Sequence, residues 1–219
     1  LTIFFLRVYI MDLKKHFYIN LERRTDRNEE TIKELKKIGI TKPNRFNAMT
    51  HEKGIIGCAM SHIACLKEAK RLNWEYVLIF EDDVKFLKPK DTLNKMKKYI
   101  NSRFLKYDVL LLSGNNKGPV APHPKYPKDL VRVVNCYCCT MYAVKKHYYD
   151  TIIENFEESI RLVLENPDDR TAPHDYNWFK LQMKDTFLLT IPLTTVQRES
   201  YSDIEERDVN YEKLMLQMR

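Results

Sequence analysis

Glycine is scarce in this sequence, with 5 residues among 219. None of them falls in the G-x-G-x-x-G pattern of dinucleotide-binding proteins or the G-x-x-x-x-G-K-[ST] pattern of P-loop enzymes. Both patterns need glycine because the backbone must approach the phosphates closely. The sequence therefore gives little support to a P-loop enzyme or a dinucleotide-dependent enzyme.

Apolar runs long enough to cross a membrane are also lacking. The most apolar stretch, LTIFFLRVYI at residues 1–10, is too short to span a bilayer and contains Arg7. It has neither the basic start nor the small-residue cleavage site of a secretion signal. We expect residues 1–14 to be an N-terminal extension, residues 15–219 to form one domain, and the protein to be cytoplasmic with at most peripheral membrane contact.

The five cysteines do not provide two C-x-x-C pairs, which is the pattern of a structural zinc site. Cys58 and Cys65 lie on a predicted helix, and Cys136, Cys138 and Cys139 lie in a predicted strand. We therefore expect free, mostly buried thiols in a reducing compartment and no structural zinc site.

Positive charge exceeds negative charge only modestly, with 37 Lys and Arg against 30 Asp and Glu and a formal net charge of +7. Such a balance suits nucleic acids, anionic membranes or phosphate-bearing small molecules. Because acids interleave with the basic residues, the pattern favours a mixed solvated surface. Nucleic-acid binding is an alternative, but the sequence carries no recognised motif for it.

Apolar strands and amphipathic helices alternate along the chain. The pattern predicts strands at 16–21, 44–49, 76–80, 107–112, 130–144 and 186–193 and helices at 23–39, 54–72, 90–100, 147–166 and 206–218, with a long loop at 113–129. This alternation predicts one α/β domain with a largely parallel sheet. Ligands of such sheets bind beyond the carboxyl ends of the strands.

Three consecutive acids, Glu81, Asp82 and Asp83, end the apolar strand in LIFEDDVKF. Adjacent carboxylates repel each other unless a cation offsets their charge, and Mg²⁺ and Mn²⁺ prefer oxygen ligands. Residues i and i+2 of an extended segment point the same way, so Glu81 and Asp83 can face one site. The alternative is an ordinary solvated strand end near Lys85 and Lys88.

Two further segments could carry chemistry, each with a structural alternative. INLERRTDR places Arg23, Arg24 and Arg27 at a strand-to-helix turn, where arginines bind phosphate or simply pair with surface acids. GCAMSHIACL places Ser61 and His62 inside an apolar helix, where a histidine is often a core residue bonded to the backbone.

Polar residues also concentrate late in the chain, in APHDYNWF and PLTTVQRESYSDI. An acid close to aromatic side chains suits sugar recognition, because the sugar ring has polar edges and an apolar face. A helix cap is an equally good interpretation of a loop acid. The residues concerned are His174, Asp175, Trp178, Gln197, Ser202 and Asp203.

Five segments in this order resemble glycosyltransferase family 25, the lipooligosaccharide and collagen galactosyltransferases. They are FYINLERRTDR, GCAMSHIACLKEA, VLIFEDDV, HDYNWF and VQRESYSDI, and the resemblance runs from about residue 15 to 204. It implies a GT-A type nucleotide-diphospho-sugar transferase fold with a Rossmann-like, mostly parallel sheet flanked by helices. It also implies a UDP-hexose donor, Mn²⁺ or Mg²⁺, and inversion at the anomeric carbon.

The resemblance assigns roles by position. Asp83 is implied to bind the metal, and Glu81 and Asp82 to share the metal or the donor ribose. Asp175 is implied to be the catalytic base, and Asp203 to reach the metal. The remaining implied donor-binding residues are Asn20, Arg24, Arg27, Ser61, His62, Gln197 and Ser202.

The resemblance thus predicts a metal-dependent inverting transferase. It would move galactose or glucose from a UDP-sugar to a hydroxyl of a glycan or hydroxylysine-type acceptor. One departure is Cys139, where family members often have glycine. The alternative is a catalytically lapsed domain of the same family that serves as a binding module.

Overall fold

A computed structural model describes residues 11–137 and 139–217. Most of the predicted N-terminal extension, residues 1–10, and Cys138 lie outside the described residues. The helices are α1 (Thr25–Lys37), α2 (Gly54–Arg71), α3 (Pro89–Tyr99), α4 (Tyr149–Glu165), α5 (His174–Asn177), α6 (Phe179–Lys184) and α7 (Glu212–Leu216). The strands are β1 (His16–Asn20), β2 (Arg45–Asn47), β3 (Tyr76–Glu81), β4 (Val84–Phe86), β5 (Val109–Leu111), β6 (Asn115–Asn116), β7 (Val120–Pro122), β8 (Leu130–Val133), β9 (Cys136–Tyr137), β10 (Met141–Lys145), β11 (Phe187–Thr190), β12 (Thr195–Gln197), β13 (Ser200–Ser202) and β14 (Arg207–Val209).

The central sheet has eight strands in the order β2-β1-β3-β10-β5-β11-β8-β7. β10 and β8 run antiparallel to their neighbours, and the other six strands point in one direction. The prediction of an α/β fold with a mostly parallel sheet flanked by helices is therefore confirmed.

Helices cover both faces of this sheet, which explains why β3 reads as a continuous apolar run. Val77 and Ile79 pack with Leu66 of α2 and Phe156 of α4. The alternate residues of β3 point to the other face, because side chains of a strand alternate in direction. There Tyr76, Leu78 and Phe80 pack with Leu35 of α1, with Ile38 directly after it, and with Met96 and Tyr99 of α3.

The parallel pairing of β1 and β3 brings their carboxyl ends together. Ile19 lies opposite Glu81 in this register, so Asn20 and the acids after β3 meet at one edge of the sheet. Two smaller ribbons extend this edge. β4 pairs with β12, which places Gln197 opposite Val84, and β13 pairs with β14 in a hairpin.

The N-terminal half of α2 lies close to the chain that follows β2. A Cβ on Gly57 would come 2.7 Å from the carbonyl oxygen of Met49, so only glycine permits this approach. Ser61, one turn later, donates to the Gly57 carbonyl at 2.7 Å and accepts from the Met49 backbone N–H at 2.8 Å. α2 is thereby fixed at the carboxyl edge of the sheet.

Three sequence predictions differ from the structure. The predicted loop at 113–129 contains β6 and β7, and β7 becomes an edge strand by pairing with β8; Pro122 is compatible with an edge position. The predicted strand at 130–144 is divided into β8, β9 and β10. The predicted helix at 206–218 begins as β14, because residues 207–209 pair with β13. No helix among the described residues has the length and apolar character needed to cross a membrane.

Candidate active site

A cavity of about 710 Å³ opens at the carboxyl edge of the sheet. The ends of β1 and β3, the first half of α2, α5 and the β13–β14 hairpin all contribute to its lining. All residues to which the resemblance assigned a role line this cavity except Arg24: these are Asn20, Arg27, Ser61, His62, Glu81, Asp82, Asp83, Asp175, Gln197, Ser202 and Asp203.

Asp82 and Asp83 share one arginine. The Arg27 guanidinium lies 3.0 Å from Asp82 Oδ1 and 2.8 Å from Asp83 Oδ2. The Asn20 side-chain amide donates to Asp82 Oδ2 at 2.7 Å. The other oxygen of Asp83, Oδ1, is buried without a hydrogen-bond partner. Burial raises the pKa of each of the two carboxyls to about 6, and the charge of Arg27 opposes this rise.

A second arginine, Arg198, holds the backbone of this acid segment. Its backbone N–H donates to the backbone carbonyl of Asp83 at 2.6 Å. Its guanidinium donates to the backbone carbonyl of Asp82 at 2.9 Å and pairs with the Glu30 carboxylate at 2.9 Å. The sequence analysis missed this residue. Its signal was its place in VQRESYSDI, directly after the predicted Gln197.

Glu81 lies on the α2 side of the same cavity. Its Oε1 is 3.3 Å from His62 Nε2 and 3.8 Å from Cys58 Sγ. Burial and the nearby charge of Asp82 raise the pKa of this carboxyl to about 7. The three acids therefore line one cavity, but Asp82 and Asp83 have Arg27 in common, whereas Glu81 contacts side chains of α2.

Asp203 joins the hairpin to the start of α1. Its Oδ1 accepts from Arg23 at 2.8 Å and its Oδ2 from Arg24 at 2.6 Å. Burial alone would raise its pKa, but the hydrogen bonds from the two arginines outweigh burial and lower it. Arg24 also pairs with Asp26 at 2.9 Å. Both oxygens of Asp203 thus have cationic partners, and they must be released before this residue can reach a metal.

His62 is fully buried, as the structural alternative for this residue supposed, yet it also borders the cavity. Its Nδ1 lies 2.8 Å from the Tyr142 hydroxyl. Burial lowers its pKa to about 3, so the ring is neutral at physiological pH. Ser61 is equally buried and fixes the backbone after β2.

The late segment also lines the cavity. His174 is the first residue of α5 and Asp175 follows it, partly exposed to the cavity. Trp178, which the sequence offered for sugar stacking, is fully buried and donates to the Cys136 carbonyl at 3.1 Å. It is a core residue. The aromatic rings that line the cavity are instead those of Tyr137 and Tyr211, which sequence analysis did not single out.

Two solved structures resemble this fold. One is a glycosyltransferase involved in the glycosylation of the major capsid of PBCV-1, with 10% identity over 83% of this chain and 91% of that chain and a TM-score of 0.54. The other is a mutant Drosophila β-1,4-galactosyltransferase 7 in complex with manganese, UDP-Gal and xylobiose, with 10% identity over 93% and 79% of the two chains and a TM-score of 0.43. The first likeness shows the fold, which is the GT-A type of glycosyltransferases.

Curated protein sequences gave no match. The profile of glycosyltransferase family 25, described as an LPS biosynthesis protein, matches residues 42–166. This range is more than half of the chain, and it includes α2 and the acid segment after β3. The resemblance inferred from the sequence motifs is confirmed: the chain belongs to glycosyltransferase family 25.

Proposed function

We propose that the protein is a metal-dependent inverting glycosyltransferase. It would move galactose or glucose from a UDP-sugar to a hydroxyl of a glycan or hydroxylysine-type acceptor. The observation that carries the proposal is the buried pair Asp82 and Asp83, which lies at the carboxyl edge of a GT-A sheet and lines the same cavity as Asp175. The family membership supports the reaction class.

The donor atoms near Asp83 suit a hard divalent cation. Asp83 Oδ1 is a buried carboxylate oxygen without a hydrogen-bond partner. The oxygens of Asp82 are held by Arg27 and Asn20, and one of them would have to be released to join it as a ligand. Mn²⁺ and Mg²⁺ prefer such oxygen ligands and retain substrate phosphates in their coordination shell. When bound, the cation would supply positive charge against the diphosphate leaving group.

Basic residues around the acids would hold the rest of the donor. The Arg27 guanidinium pairs with Asp82 and Asp83, and a metal ion bound to these acids would free it to bind a phosphate oxygen. Asn20 orients Asp82 by its hydrogen bond. Arg24 fixes the hairpin that carries Ser202 and Asp203, so that Gln197 and the hairpin close the donor side of the cavity.

Asp175 would act as the base. Its carboxylate would take the proton from the acceptor hydroxyl while the hydroxyl oxygen attacks the anomeric carbon, and UDP would leave from the opposite face. One displacement of this kind inverts the configuration and needs no covalent enzyme intermediate. Tyr137 and Tyr211 offer apolar ring faces in the same cavity for a sugar.

Nucleotide-sugar binding can be tested by thermal shift. A ligand that binds only the folded chain raises its melting temperature, so UDP-galactose or UDP-glucose should stabilise the protein more with Mn²⁺ than with EDTA. GDP-mannose serves as the control donor. Equal shifts for all nucleotide sugars, or no dependence on Mn²⁺, would contradict the proposed donor site.

The lapsed binding module is a second candidate, because Arg27 already pairs with both Asp82 and Asp83 in the absence of a metal ion. Such a domain would bind the UDP-sugar but would not turn it over. UDP release from UDP-galactose and UDP-glucose in the presence of Mn²⁺, with and without acceptor sugars, separates the two. Binding without any UDP release would favour the module.

A lipid-linked glycan is one of the acceptors within this proposal, and the family description, which names LPS biosynthesis, supports it. The cytoplasmic location inferred from the sequence stays a prediction.

A further inference from the structure

Three ligand-type side chains converge below the acids, on the floor of the cavity. Cys58 and His62 lie one turn apart on α2, which places them on the same face of the helix. His174 reaches the same point from α5. One ligand atom from each of the three residues lies within 4.8 Å of the other two, and Cys58 Sγ lies 3.8 Å from His174 Nε2. We name these three residues the floor triad.

The two histidines of the floor triad are suited to bind a metal. His62 is 0% exposed and His174 is 5% exposed, so desolvation keeps both rings neutral. His62 Nδ1 is fixed by the Tyr142 hydroxyl at 2.8 Å, and such an outer partner orients the ring of a metal-binding histidine. His174 Nδ1 is buried and has no hydrogen-bond partner. The other nitrogen, His174 Nε2, lies 3.8 Å from Cys58 Sγ and is the one that would bind a metal together with this thiol.

Glu81 offers a candidate fourth ligand atom, an oxygen, beside His62 and Cys58. Its Oε1 lies 3.3 Å from His62 Nε2 and 3.8 Å from Cys58 Sγ. In a tetrahedral zinc site, bond lengths of roughly 2.0–2.3 Å place neighbouring ligand atoms roughly 3.3–3.6 Å apart. The separations of 3.3 and 3.8 Å are close to these values, the other pairs within the floor triad lie within 4.8 Å, and side-chain rotations would complete the site.

We propose that Cys58, His62 and His174 bind Zn²⁺, with Glu81 or a water molecule as the fourth ligand. The sulfur and nitrogen atoms of the floor triad favour this softer cation, whereas the oxygen atoms of Asp82 and Asp83 favour Mn²⁺ or Mg²⁺. The Cys58 thiol gives up its proton to solvent when the sulfur–zinc bond forms, and no electron transfer is involved. This site goes beyond the proposed transferase activity and does not depend on it.

A metal at the floor triad would join two elements that are distant in sequence. Cys58 and His174 are 116 residues apart, and α2 and α5 would share one ion. Asp175 follows His174 directly, so the ion would also fix the part of α5 that carries the proposed base. The expectation from the sequence, that there is no structural zinc site, considered cysteine spacing alone, whereas the ligands proposed here are brought together only by the fold.

Cobalt spectroscopy tests the site directly. The full chain, without a histidine tag, is stripped with a chelator and titrated with Co²⁺. We expect a thiolate-to-cobalt charge-transfer band in the near ultraviolet and intense visible bands of four-coordinate Co²⁺, saturating at one equivalent. Zn²⁺ should remove both sets of bands by displacing Co²⁺ and should raise the melting temperature of the stripped chain.

Matched serine variants assign the ligand. Cys58→Ser should lose the near-ultraviolet band, whereas Cys65→Ser, at a buried cysteine on the same helix outside the floor triad, should keep it. Circular dichroism verifies that both variants fold. His174→Gln should keep the band but shift the Co²⁺ titration midpoint about tenfold or more to higher concentration. Only weak six-coordinate Co²⁺ bands in the wild type, or an unchanged band in Cys58→Ser, would overturn the proposal.

Discussion

Arg27 is the residue whose loss should be felt most strongly, because among residues 11–137 and 139–217 it is the one whose side chain pairs with both Asp82 and Asp83. The side chains of Arg27, Asp82 and Asp83 are 11%, 9% and 10% exposed in the folded chain. Arg27→Gln would leave two carboxylates close together and largely desolvated. Removing one partner of a buried ion pair costs about 3–5 kcal/mol. For a chain of this size, about 3 kcal/mol corresponds to a melting temperature lowered by roughly 6–12 °C.

The loss should depend on pH in a definite direction. The folded-state pKa of each acid is already raised to about 6 from the ordinary 3.8, and without Arg27 it rises further. A carboxyl with a raised pKa binds its proton more tightly in the folded chain, so it destabilises the fold as the pH rises through that pKa. Arg27→Gln should therefore be much less stable than the wild type at pH 7.5 and closer to it at pH 5.

Thermal unfolding at both pH values, in EDTA and then in Mn²⁺, measures these effects. Mn²⁺ should stabilise Arg27→Gln more than the wild type, because a cation replaces the lost positive charge between the acids. Arg161→Gln is the control, since Arg161 is 59% exposed and pairs only with Glu165 on the surface. If Arg27→Gln and the control have the same melting temperature at pH 7.5, Arg27 does not offset a buried pair of charged acids and the reasoning fails.

Three further predictions concern the same cavity. The affinity for Mn²⁺, measured by calorimetry, should fall as the pH is lowered from 8 to 5, because protons compete for Asp82 and Asp83, whose pKa values are raised by burial. An affinity that does not change with pH would show that Mn²⁺ binds elsewhere. Asp203→Asn should lower the free energy of unfolding, measured in urea, by less than about 1 kcal/mol, because the ion pairs of Asp203 are partly solvated. The same variant should raise KM for the donor more than it lowers kcat, and an unchanged KM would contradict a role for the hairpin in donor binding. Asp175→Asn should lower kcat by about 10²–10⁴-fold, while UDP-hexose and Mn²⁺ still raise the melting temperature of the variant. A kcat close to that of the wild type would show that Asp175 is not the base.

The parts of the fold that local pattern determines were predictable. β1, β3 and α2 have apolar residues at strand or helix spacing, and the structure places them within a few residues of the predicted bounds. The acid segment was predictable as a site because it combines three like charges with the end of a buried strand. The spacing of the three acids did not identify the family; the other motifs before and after them in the sequence did.

The rest depends on contacts between distant residues. β7 and β14 exist because they pair with β8 and β13, and no local apolar pattern marks them. Trp178 looked like a sugar-stacking residue, but the fold buries it against β9. Arg198 and the floor triad have meaning only after strands and helices far apart in sequence come together.

UDP release is the measurement that tests the central claim most directly. The wild type, Asp83→Ala and the control Asp168→Ala, an exposed acid outside the cavity, are each supplied with UDP-galactose or UDP-glucose in Mn²⁺ and in EDTA. The account predicts Mn²⁺-dependent release by the wild type and Asp168→Ala and none by Asp83→Ala, with all three equally folded. Full release by Asp83→Ala, or by the wild type in EDTA, would contradict the assignment of Asp83 to a catalytic cation.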